Sequence, residues 1–261
     1  MSAHNFIDAH CHLADPRFDG QREAVMERAK SKGIQYFLQG GIGPEDWDRQ
    51  VQLNDGSWLV CFGLHPWFVN ENDETTCETA CAQLKLSLGD AVALGECGLD
   101  FGPRMAKESY SRQIYYLEQQ LLLARNLNKP IVLHAVRCHG PMLRILKEHG
   151  GEWRGIVHGF SGSFEVAREF LALGLDISLG PALSRGGYQK VKDAVSRIPL
   201  ERLVVESDAP DMAPTGWDLP LNEPSSLWQT ANAIAAFHQT TAEDVLSQSR
   251  HNLCRTFELE I

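Results

Sequence analysis

Phe6-Ile7-Asp8-Ala9-His10-Cys11-His12 is a short apolar run that ends in side chains able to bind a metal. Side chains two apart on a strand point the same way, so Asp8, His10 and His12 are expected on one face, where two imidazoles can grip one ion. Alone, His-x-His equally marks two hydrogen-bonded histidines at a strand end. The pattern recurs along the chain. Leu94-Gly95-Glu96 closes an apolar run with a carboxylate, and a buried carboxylate needs a partner, either a salt bridge or a metal. Ile131-Val132-Leu133-His134, Gly155-Ile156-Val157-His158 and Leu203-Val204-Val205-Glu206-Ser207-Asp208 each end in a further metal-competent group.

Strand-like runs fall at 6–12, 34–39, 59–64, 91–94, 130–133, 155–157, 175–179 and 203–205. Helical periodicity lies between and after them, at 21–32, 44–54, 75–88, 108–128, 139–149, 163–173, 187–197, 225–238 and 241–258. The last helix starts at Thr241, with Glu243 and Asp244 in its first turn, as helix starts favour. The strands are almost uniformly apolar, as a parallel sheet buried on both faces requires. Eight such units predict an α/β fold, a closed (β/α)8 TIM barrel of the metallo-dependent hydrolase type. A doubly wound open sheet is disfavoured, because no Gly-x-Gly-x-x-Gly follows the first strand. No stretch reads as a linker, so residues 1–261 are expected to form a single barrel domain. In a barrel the carboxyl ends of all strands meet at one mouth, and five of the eight carry a His, Glu or Asp there.

Composition narrows the function. The 261 residues are 43% hydrophobic and 22% charged, long enough to bury a large core without disulfides. Seven cysteines, an odd number at scattered spacing, predict reduced thiols and a cytoplasmic location rather than a disulfide framework. Cys77 and Cys81 read as ordinary helix cysteines. No basic region followed by an apolar run marks a signal peptide at the start, and no apolar stretch is long enough for a membrane span. A net charge of -10 and a pI near 5.5 argue against a broad non-specific surface for duplex DNA. A metal-bearing mouth can still accept a phosphate, because cations invert the local field.

The candidate ligands are His10, His12, Glu96, His134, His158 and Asp208. Four imidazoles and two carboxylates suit zinc, manganese or magnesium. Six ligands exceed one open tetrahedral site and predict two divalent metal ions per chain, about 3.5–4 Å apart, bridged by Glu96. Such a pair lowers the pKa of bound water toward ~7. Asp208 is expected both to ligate and to act as general base, which makes Asp208 and Glu96 the catalytic residues. His65, in Gly63-Leu64-His65-Pro66-Trp67, is expected to contact substrate. His4, His149, His238 and His251 read as solvated, and His139 is left open. Trp67, Phe101 and Phe160 are pocket walls or core residues.

These segments together resemble the TatD-type family of metal-dependent hydrolases, within the amidohydrolase-like barrels. The resemblance rests on Asp8-Ala9-His10-Cys11-His12-Leu13, Gly63-Leu64-His65-Pro66, Gly95-Glu96-Cys97-Gly98-Leu99-Asp100, Leu133-His134, His158-Gly159-Phe160-Ser161-Gly162 and Glu206-Ser207-Asp208-Ala209-Pro210. It implies one metal on His10, His12, Glu96 and Asp208 and the other on Glu96, His134 and His158. It also implies hydrolysis, with DNA as the substrate of several relatives. Three departures stand out. The family usually has Arg two residues after the strand-five His, where this chain has Val136, with Arg137 one further on. The family often has Cys where Gly159 stands. Leu221-Asn222-Glu223-Pro224 replaces its Arg-Asn-Glu-Pro. Arg137, Arg104 or Arg185 can compensate, and Arg137 joins His65 as the expected substrate contact.

The leading expectation is a phosphodiesterase or deoxyribonuclease acting on a small phosphorylated molecule or a short single-stranded nucleic acid, where a free 3′ end suits a narrow mouth. The second is a metal-dependent amidohydrolase or lactonase. The third is no enzyme but a ligand-binding barrel. Neither a membrane nor an obligate protein partner is expected.

Overall fold

A computed structural model of the chain describes residues 5–184 and 189–261. Its strands are β1 (Phe6–Cys11), β2 (Ile34–Gln39), β3 (Trp58–Leu59), β4 (Cys61–Phe62), β5 (Ala93–Asp100), β6 (Ile131–Val136), β7 (Gly155–Val157), β8 (Asp176–Leu179) and β9 (Leu203–Val205). Every pairing is parallel and joins sequence neighbours. The third stave of the barrel is split. β3 pairs with β2 and β4 with β5, while Val60 between them accepts from Val92 N at 2.9 Å. Nine strand segments therefore make eight staves.

The first and last staves meet at a seam. Asp208 N donates to His10 O at 3.0 Å, and His12 N donates to Ala209 O at 2.7 Å. Buried Asp8 reinforces it, accepting from Ser207 N at 2.9 Å and Ser207 Oγ at 2.5 Å. The barrel expected from the sequence is the barrel that forms.

The helices are α1 (Arg22–Ser31), α2 (Pro44–Leu53), α3 (Pro66–Glu71), α4 (Glu74–Ser87), α5 (Tyr110–Asn126), α6 (His139–Glu148), α7 (Phe164–Ala172), α8 (Gln189–Val195), α9 (Leu227–His238) and α10 (Ala242–Phe257). Short α3 was not expected. It is set by Pro66, whose fixed φ suits the first helical position, and by His65, whose Nδ1 accepts from Trp67 N at 3.0 Å. α10 starts with the reciprocal Thr241–Asp244 capping box. β5 and β6 run past the ends expected at 94 and 133, and Leu99 and Asp100 still pair with Ala135 and Val136. Apolar periodicity does not mark these extensions, because their carboxyl ends carry Glu96, Asp100 and His134 in place of apolar side chains.

Two apolar layers hold the barrel. An outer layer packs helices on strands, with Phe18, Phe37, Trp47, Tyr116 and Phe170 among its largest buried members. An inner layer draws Ile7, Ala9, Leu38, Cys61, Ala93, Val132, Ile156 and Val204 from every stave except β8, and Leu253 and Phe257 of α10 pack beneath them. β8 instead offers buried Asp176, which accepts from Arg255 Nη2 and Thr256 Oγ1 of α10, each at 2.7 Å. This is the end opposite the expected mouth. All seven cysteines are free. Among the described residues no helix is long and apolar enough to cross a membrane.

Candidate metal centre

Glu96 stands in the middle of the mouth, 1% exposed. A register shift in β5 between Gly95 and Cys97 marks an irregularity in the ladder there, the kind of feature that re-aims a side chain. Its two oxygens face two different sets of imidazoles. Oε2 lies 2.9 Å from His10 Nε2 and 3.4 Å from His12 Nε2. Oε1 lies 2.8 Å from His134 Nδ1, 2.9 Å from His158 Nε2 and 3.0 Å from His65 Nε2. Asp208 stands at the first set, its Oδ1 3.8 Å from His12 Nε2 and 4.0 Å from His10 Nε2.

Outer contacts aim several of these rings. His12 Nδ1 lies 3.2 Å from Gly40 O, and a proton donated there leaves Nε2 with a free lone pair. His134 Nε2 is 3.5 Å from Asp100 Oδ2, and His158 Nδ1 is 3.7 Å from Glu206 Oε1. Glu206 is itself held by Gly159 N at 2.7 Å and Ser178 Oγ at 2.5 Å. Asp100 Oδ2 also accepts from Trp67 Nε1 at 3.0 Å. His65 is wired the other way. Its Nδ1 accepts the Trp67 amide, so the ring's proton sits on Nε2 and points into the centre.

Burial pushes His10 and His65 down to about 4, so both rings are neutral at neutral pH. Burial alone would raise Glu96, but His158, His65 and His10 around it hold it well below the usual carboxylate range. His158 is buried too, which disfavours its charge, yet Glu96 and Glu206 hold it well above its ordinary value. Burial, with the Glu206 charge adding to it, pushes Asp208 up to about 6.

The donor set fits divalent cations. Imidazole nitrogens stand 3.0 Å apart at His134 and His158 and 3.2 Å apart at His10 and His12, so each pair directs its lone pairs at one small volume. A cation between them satisfies those lone pairs. The backbone leaves room for it. A Cβ at Gly40 would lie 2.6 Å from His10 Cε1, 2.8 Å from Glu96 Oε2 and closer still to His12 Cε1. The centre opens into a cavity of about 1130 Å³.

All six expected ligands converge here, and His65 sits deeper than expected, among the ligand atoms themselves. Asp8 does not share their face as expected. The ladder of β1 shifts register between Asp8 and Cys11, and the carboxylate turns to Ser207 at the seam. Trp67 lines the cavity. Phe101 stacks on Tyr110 at 4.1 Å and Phe160 is a core residue, and neither lines the cavity. Arg137 is exposed and does not line it either, whereas Val136 and Arg104 do. His139, 5.8 Å from the Phe160 ring, lies outside the centre. His251 is exposed as expected, while His149 and His238 are half-buried and His238 Nε2 is 2.9 Å from Val195 O. His4 and Arg185 lie outside the described residues. The sequence reading missed Glu206, Asp100 and Gly40 as groups that position or make room for ligands. Glu206 and Asp100 stood in quoted motifs, two residues before Asp208 and four after Glu96.

A parallel barrel whose strand ends aim imidazoles at a shared carboxylate belongs to the class of metal-dependent hydrolases. Comparison with known proteins agrees. The family model described as TatD related DNase matches residues 7–258. The chain belongs to this TatD family and is a metal-dependent hydrolase. It is 31% identical to the uncharacterized metal-dependent hydrolase YjjV of Escherichia coli K12, over 97% of this chain and 98% of that protein. The crystal structure of YjjV superimposes with a TM-score of 0.86 at 30% identity, covering 97% and 98% of the two chains. Human deoxyribonuclease TATDN3 is 30% identical over 96% of this chain and 94% of its own. The 3'-5' ssDNA/RNA exonuclease TatD of Pantoea vagans is 27% identical over 97% and 99%.

Proposed function

We propose that this chain hydrolyses phosphodiester bonds at the end of a short single-stranded nucleic acid, using two divalent cations shared by one carboxylate. The observation that carries the reading is Glu96, whose Oε2 faces His10 and His12 while its Oε1 faces His134 and His158. His10, His12, Glu96 and Asp208 would hold one ion, and Glu96, His134 and His158 the other. Zinc, manganese and magnesium all suit this donor set. Such a pair supplies Lewis acidity at a phosphoryl oxygen and a nucleophilic water at neutral pH. The human relative is a deoxyribonuclease and the Pantoea relative an ssDNA/RNA exonuclease, which supports a nucleic-acid substrate. The same reading takes residues 1–261 as one hydrolase domain. The free cysteines support a reducing, cytoplasmic setting.

The residues divide the work. Asp208, part-exposed at the edge of the ligand set with its Oδ1 3.8 Å from His12 Nε2, is placed to take the proton of the attacking water and to return it to the leaving oxygen. Glu96 stays ionised and fixes the two halves of the site at one spacing. His65 directs its Nε2–H into the centre, where it can donate to an oxygen of the substrate. Walls of Trp67, Phe68 and Ile42 exclude water beside the reacting bond.

The test is release of nucleotides from a short oligonucleotide with manganese added and with it chelated. Activity that survives Asp208→Ala unchanged would sink the mechanism. Val136, which lines the cavity where the resemblance expects arginine, favours a second reading, an ester, amide or lactone substrate. Assaying lactones and esters beside the oligonucleotide separates the two.

A further inference from the structure

We infer that Arg104 is the residue that binds a second phosphate of the substrate, one linkage away from the bond being cut. The inference rests on the phosphodiester reading above and adds the recognition element that Val136 leaves vacant.

Among the described residues the cavity is lined by three cations, Arg17, Arg49 and Arg104. Two are already committed. Arg17 makes a fork to Asp211 at 2.9 and 2.7 Å and also binds Asp15 at 2.8 Å. Arg49 donates to Ala14 O at 2.8 Å and to Asp19 at 2.7 Å. Among the described residues Arg104 forms no such pair. Asp100, an acid that lines the same cavity, is occupied by Gly102 N at 2.7 Å, Trp67 Nε1 at 3.0 Å and His134 Nε2 at 3.5 Å. An arginine facing a cavity with its donors unspent is a ready partner for an anionic oxygen, which a guanidinium can take in a fork.

Its backbone is anchored on both sides. Met105 N donates to Gly102 O at 3.1 Å, which makes Gly102-Pro103-Arg104-Met105 a tight turn with Pro103 at the position proline favours. Before the turn, Asp100 ties the chain to His134 of the metal centre. After it, Ala106 N donates to Asn70 Oδ1 of α3 at 3.0 Å. Arg104 is therefore held between the metal centre and α3, along the cavity wall. Arg104 and Arg137, the arginine expected in this role, are both exposed, and of the two only Arg104 lines the cavity.

The probe is thymidine 3′,5′-bisphosphate, with the two thymidine monophosphates as references, titrated into manganese-loaded protein by calorimetry. Wild type is expected to bind the bisphosphate about tenfold or more tightly than either monophosphate, the size of one charge-assisted contact. Arg104→Ala loses that preference, and Arg104→Lys, which keeps the charge, recovers part of it. Arg144→Ala, an exposed residue of α6, keeps it. An Arg104→Ala protein with the wild-type preference overturns the inference, as does a wild type without any. Oligonucleotide hydrolysis is scored separately. A protein that cuts no phosphodiester but shows the Arg104-dependent preference overturns the substrate reading alone. One that cuts it with the preference indifferent to Arg104 overturns the anion site alone.

Discussion

At one end of the barrel Ile7, Leu38, Val132, Ile156 and Val204 fill the interior, with Leu253 and Phe257 of α10 seated against them. Toward the carboxyl ends of the barrel strands, His10, Glu96, His134 and Glu206 are buried too, and not one of them is apolar. The first end is stabilised by removal of apolar surface from water. The second gains nothing from burial and depends on charges and lone pairs finding partners. Strands β1, β5 and β6 thus join a stabilising half to a functional half, and damage to one should leave the other largely intact.

The sharpest way to break this division is Glu96→Ala. Hydrolysis by the manganese-loaded protein is expected to fall about a thousandfold or more, the scale of losing metal assistance. Added manganese, which should raise the melting temperature of wild type, should leave the variant's unmoved. Retention of both responses would show that Glu96 is not the shared ligand. At the opposite end, Phe257→Ala should cost about 3–5 kcal/mol in chemical denaturation, while metal affinity of the folded fraction stays at the wild-type value. A parallel loss of metal affinity would join what the comparison separates.

Glu206→Gln sharpens it, because Glu206 stands behind the expected ligand set and reaches it through His158 and the Gly159 amide. Metal affinity should drop roughly 10–100-fold, with the fold retained by circular dichroism. The smallest effect belongs to Thr241→Ala, which opens the capping box of α10 outside the cavity lining. About 1 kcal/mol of stability should go, without change in kcat.

Much of the functional half was legible in the sequence because it consists of interruptions. His134 follows three apolar residues and His158 three more, so each stands out where the period calls for another Val or Leu. The six candidate ligands and the barrel follow from that contrast. What supports them was not legible. Asp100 and Glu206 lie beside ligands in the chain, and only the fold reveals that one turns to His134 and the other to His158. His65 illustrates a different gap. Its place in the centre depends on capping a two-turn helix, α3, that no apolar periodicity announces. The departure at Val136 was visible, but the compensating side chain depends on a turn geometry that spacing alone cannot rank among three arginines.

The seam between the first and last staves also sets when the molecule becomes competent. His10 and His12 lie on one side of it and Asp208 on the other, and the hydrogen bond from Ser207 to Asp8 nearby spans 199 positions of chain. No partly closed sheet can present these three groups to a single ion. Uptake of a cation by these three groups during refolding would therefore serve as a clock for the moment the ring of strands closes, readable by stopped-flow mixing with a metal indicator.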